Sequence, residues 1–196
     1  RRALTLNSLG ALATEEGRYD EARDALEVGL VLARETGRRR EETLLRCSLA
    51  DVDLLEGELA HALARFTEAH ALAMRTDVGS SIAVATVGAL WAAALKGEVA
   101  VAQAWLDIAS SFDGQAHAEV AGRLALGQAL LCMAQKRPSI ARAADLAAEA
   151  ASQAAALALP EQAYLALLQA TLAAMQGGWP AAQPFWRACA IRWSAD

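Results

Sequence analysis

Proline is scarce in this chain, at 4 of 196 residues, and aromatic side chains make up only 5% of it. Few prolines leave long stretches free to hydrogen-bond as helix, and no segment alternates apolar and polar residues as a half-buried strand would. Cysteine is rare as well. Cys47, Cys132 and Cys189 lie far apart with no CxxC pair, which excludes a disulfide framework and suits buried thiols in a reducing cytoplasm. His61, His70 and His117 form no pair at ligand spacing, so no metal is expected. The sequence also lacks a GxxxxGK[ST] loop, HExxH, GxSxG and a glycine-rich dinucleotide turn. No catalytic residue and no cofactor is expected, and the chain reads as a non-enzyme. Asp51, Asp53, Glu56 and Glu58 lie close together, but Asp51 and Asp53 point about 200° apart on a helix and read as charged surface.

Basic residues are outnumbered, giving a net charge of -5. Phosphate binding calls for a basic stripe, so direct nucleic-acid contact is not expected. The single basic run, Arg38 to Arg40, is answered at once by Glu41 and Glu42. No secretory leader opens the chain, and its start at Arg1-Arg2 inside a helical pattern reads as a piece of a longer protein. The uncharged stretch from Val78 to Leu95 is at the lower edge of membrane-spanning length. Its Gly79, Ser80, Ser81, Thr86 and Gly88 instead suggest an inner helix covered on several sides, so no membrane is expected.

What the chain does have is alanine, 50 residues of it, and a hydrophobic share of 55%. Alanine loses no side-chain entropy on entering a helix, so the composition points to an all-α fold. A forty-residue ruler runs through it, marked by Gly17, Gly57, Gly97 and Gly177. Each glycine follows a helical run and precedes another, where a left-handed C-cap is required. Two residues later comes a junction plug (Tyr19, Leu59, Val99, Trp179), and three further on stands Ala22, Ala62, Ala102 or Ala182. Four beyond that the side chain is large: Leu26, Phe66, Leu106, Trp186. Small and large residues at i and i+4 share one helix face and let two backbones approach. The fourth beat, near residue 137, is degenerate. Strict spacing places Arg142 in the alanine column, whereas a one-residue insertion recovers Ile140 and Ala143, with Pro138 opening the helix.

Glycine at the turn, an aromatic two residues on, then alanine and a large apolar residue resemble the tetratricopeptide repeat. The likeness is fullest in "NSLGALATEEGRYDEARDALEVGL" (Asn7 to Leu30), which adds the Leu9-Gly10 pair upstream. A typical repeat of that family has about 34 residues, so forty lengthens each helix or its loop by roughly three. The resemblance implies a right-handed superhelical solenoid of about five helix pairs, over residues 3–39, 40–78, 79–114, 115–158 and 159–196. Long degenerate repeats of this kind also resemble the helical region of bacterial maltose-regulator and LuxR-type transcriptional activators. That implies a sensor or coupling domain that binds a protein, a peptide or a small-molecule inducer. A free-standing adaptor is the alternative.

In such a solenoid the first helix of each pair lines the concave face. Counting back from each glycine gives an apolar lining with Asn7, Asp51, Trp91, Leu131, Tyr164 and Thr171 as the candidate ligand or peptide contacts. No Lys or Arg occupies these columns, unlike the family's carboxylate-gripping chaperone adaptors. Charge also thins along the chain: 15 acids and 11 bases up to residue 78, against 8 and 7 in the longer remainder. All five tryptophans follow residue 90, which suggests a covered surface there. Trp179, Trp186 and Trp193 recur every seven residues on one face and are the candidate partner or homodimer interface.

Overall fold

The computed structural model describes all residues except 77, 78, 113, 154–156, 158 and 194–196; the side chains of 114–119, 159, 160, 179, 180 and 182–193 also lie outside the described residues. The described residues are all-α, with nine helices: α1 (Arg2–Glu15), α2 (Tyr19–Glu35), α3 (Arg39–Leu55), α4 (Leu59–Thr76), α5 (Gly79–Leu95), α6 (Val99–Ser110), α7 (Gly114–Ala134), α8 (Ile140–Ser152) and α9 (Leu159–Trp193). None of them is long and apolar enough to cross a membrane. The chain divides into two compact units, Arg1–Val120 and Ala121–Asp196.

In the first unit a single turn is used four times. After α1, the Arg18 amide donates to the Ala13 carbonyl (2.8 Å) and the Gly17 amide to the Thr14 carbonyl (3.2 Å). This is a Schellman closure, which needs a left-handed residue between the two bonds, and Gly17 supplies it at φ 75°. The same pair of bonds recurs around Gly57 and Gly97, and also around Gly37 between α2 and α3. The forty-residue ruler therefore has a half-beat that the sequence pattern did not reveal. Arg18, Arg38 and Glu98 then serve as N-caps without a side-chain cap bond. Only three residues join each helix to the next at these turns, so consecutive helices pack antiparallel.

The alanine column is the seam. Ala22, Ala62 and Ala102 are fully buried, as are Leu26 and Phe66, while Leu106 is half-buried. Each helix packs on the next, and the first helices of the pairs also meet: α1 touches α3, and α3 touches α5. Leu26 fills the space left by Gly10 on α1, where an added Cβ would lie 2.5 Å from its Cγ. Phe66 does the same across the other seam, against Gly88 of α5. Burial deepens along α1, α3 and α5, with three, eight and twelve buried residues in turn. The inner helix read from Val78 to Leu95 is thus α5, apolar all round because it is enclosed.

In the second unit α8 packs on α9 through Ala143, Leu146, Ala147 and Ala150. Ala143 is buried and Arg142 exposed, so the fourth beat carries the one-residue insertion. Ser139 caps α8 by accepting from the Arg142 amide (3.4 Å), which leaves Pro138 just ahead of the cap rather than in the first turn. Arg123 and Glu161, both largely buried, pair at 2.6 Å between α7 and α9. Gly178 breaks α9 with φ 73° and ψ -172°, so the left-handed residue is Gly178 and not Gly177. That one-residue delay matches the insertion at Pro138.

Candidate functional site

The six candidate contacts separate by depth. In the first unit, Asn7 is half-buried and its Oδ1 accepts from Ser48 Oγ at 3.0 Å, tying α1 to α3. Asp51 is half-buried on α3. Trp91 is only 1% exposed, so it belongs to the core around α5 and offers no open surface to a ligand. In the second unit Leu131 is buried, Tyr164 half-buried and Thr171 exposed, with its hydroxyl donating back to the Leu167 carbonyl (2.9 Å). The side chains of Trp179, Trp186 and Trp193 lie outside the described residues. Along the first unit the column that stays open is apolar: Leu4 is exposed, and Leu44 and Val84 are half-buried.

The reading of Asp53 as charged surface is corrected by the structure. Its side chain is 2% exposed, held between Arg23 of α2 (Nη1 to Oδ1, 2.8 Å) and Arg65 of α4 (Nε to Oδ2, 2.9 Å). Arg23 also pairs with Glu56. A buried carboxylate persists only when paired, and here one acid of α3 draws a cation from the helix on each side. The signal was available in the sequence: one period earlier and one period later, the same column holds the buried Ala13 and Ala93.

A cleft of about 360 Å³ lies between α2 and α4 over α3, lined by Leu30, Val31, Leu49, Arg34, Arg46 and Arg65 together with Glu27 and Glu68. Its cations are matched internally. Arg46 pairs with Glu42 (3.0 Å) and Glu68, and Arg34 with Glu42 (3.3 Å). Burial pushes the Glu42 carboxyl up, but hydrogen bonds and charge from Arg46 and Arg34 outweigh it and hold the group below the usual carboxylate range.

His70 joins three helices. Its Nδ1 lies 2.9 Å from Thr86 Oγ1 on α5, and its ring meets Trp105 of α6 edge to face at 5.2 Å between centroids. The Thr86 hydroxyl donates to the Ile82 carbonyl (2.7 Å), so it accepts from Nδ1-H. Burial lowers the His70 pKa, against a backbone hydrogen bond at Ile82 that raises it. A base whose folded pKa is depressed contributes stability that is present above its unfolded pKa and lost as pH falls below it. The urea midpoint of the chain is therefore expected to fall between about pH 8 and about pH 5. His70→Gln should flatten that part of the profile, and an unchanged slope in the variant would remove His70 as its source. Glu42 acts in the same direction further into acid.

Among the described residues no group of three or more His, Cys, Asp or Glu is placed to hold a metal ion, and Cys47 and Cys132 are buried. No family model, curated protein or solved structure matches the chain.

Proposed function

We propose that this chain is a non-catalytic, tetratricopeptide-like binding domain whose helix pairs stack as a right-handed solenoid. In this reading it senses a protein, a peptide or a small-molecule inducer and passes that event on within a bacterial transcriptional regulator. The observation that carries the proposal is the hairpin repeated around Gly17, Gly57 and Gly97, with one turn, one alanine seam and a forty-residue period. Such an array has nearest-neighbour packing, so a ligand that spans two pairs shifts the balance between packing states by its differential affinity for them. The apolar column of Leu4, Leu44 and Val84, flanked by Asn7 and Asp51, is the face on which that ligand would act. Sequencing the coding DNA on both sides of Arg1 to Asp196 tests the regulator reading. A frame that continues into a phosphate-loop module upstream and a helix-turn-helix downstream supports it. A frame confined to these ends sinks it and leaves a free-standing adaptor.

A further inference from the structure

One helix face in the first unit is covered twice and left open once. On α3, Leu49 and Val52 are 1% and 0% exposed, sealed in a core with Ala22, Leu26 and Ala33 of α2. One period later, Ala89 and Ala92 of α5, on which α4 packs, are fully buried. One period earlier, the equivalent residues of α1 are Leu9 and Leu12, 53% and 51% exposed. Two leucines at i and i+3 on a helix flank are a packing surface without its partner, and the internal copies of the interface show what the partner is.

We infer that the outer face of α1 is a docking site for a single amphipathic helix of the α2 type, running antiparallel to α1. Its stripe is small, large, small at i, i+4 and i+7, as in Ala22, Leu26 and Gly29. The spacing lets the large residue sit beside Leu9 and Leu12 while the small ones admit the backbone. Charge narrows the partner further. Between α2 and α3, Arg23 near the start of α2 pairs with Glu56, and Arg34 near its end pairs with Glu42. The equivalent of Glu42 is Arg2 on α1, while the equivalent of Glu56, Glu16 at the end of α1, is already paired with Arg18. The docking helix is therefore, unlike α2, acidic near its end, facing Arg2. This inference rests on packing and charge at α1 and is independent of what the Leu4, Leu44 and Val84 column binds.

The test supplies the helix. A copy of residues 19–40 joined ahead of Arg1 restores the forty-residue spacing, because residue 41 is the equivalent of residue 1. The grafted chain should melt several degrees above the parent, and R34E within the grafted copy should raise it further. In the parent, Leu9→Glu should leave Tm nearly unchanged, whereas in the grafted chain it should remove most of the gain. No gain on grafting, or an equal cost of L9E in both chains, overturns the inference. A cost of L9E in the parent that grows with protein concentration assigns the face to a second copy of the chain and overturns it equally.

Discussion

Gly88→Ala lowers the stability of the first unit by about 3 kcal/mol, at the upper end of what overpacking a tight core costs. A methyl group at Gly88 would lie 2.2 Å from Cε1 and 2.5 Å from Cδ1 and Cζ of Phe66. These are three atoms of one rigid ring, and Phe66 is fully buried. The ring has no solvent side to turn toward, so α4 and α5 must move apart. The two helices touch along their length, so their separation loosens the contacts beyond this pair as well. Phe66→Leu should rescue the alanine variant in part, since the repeat one period earlier already uses Leu26 in that column. Urea midpoints of the two single variants and the double variant measure the coupling. Additive losses would show that the ring and the glycine do not share the space assigned to them.

The second large effect is asymmetric. Arg23→Met together with Arg65→Met leaves Asp53 buried with neither cation, and unpairing a buried charge costs about 3–5 kcal/mol. Asp53→Ala should cost far less, on the order of 1 kcal/mol. Its column accepts alanine at positions 13 and 93, both buried. The arginines it abandons are about a quarter to a third exposed and turn to water, and Arg23 keeps Glu56. Denaturant titration of both variants at neutral pH decides the matter. If Asp53→Ala proved as damaging as the double arginine change, the carboxylate would be a net source of stability and not a tolerated charge.

Much of the fold was legible because backbone chemistry leaves marks in the sequence. Glycine at 17, 57 and 97 announces a left-handed turn, and alanine five residues on announces a close crossing. The structure supplies both. The glycine at 37 performs the same turn, yet it was missed because it marks the gap between pairs, off the forty-residue count. The register of the fourth beat could not be chosen from spacing alone, and burial of Ala143 against exposure of Arg142 chooses it.

The candidate site was legible only in part, for a different reason. A column counted back from a glycine gives the direction of a side chain about its helix, but not how many helices stand over it. Asn7 and Trp91 belong to the same proposed lining, yet one is half-buried and the other sealed. Periodicity on a single helix carries no information about depth along an array. The pairing of Asp53 was hidden for the related reason that its partners are 30 residues earlier and 12 later, each on another helix.

The deepening burial from α1 to α5 grades the first helices of the pairs in how easily each comes away. Detaching α1 exposes few apolar groups, whereas detaching α5 requires α3, α4 and α6 to let go of it. Local opening of α1 therefore costs less free energy than opening of α5. A partner that grips α1 meets the least buried of these three helices, whereas one that must reach Trp91 has first to uncover α5.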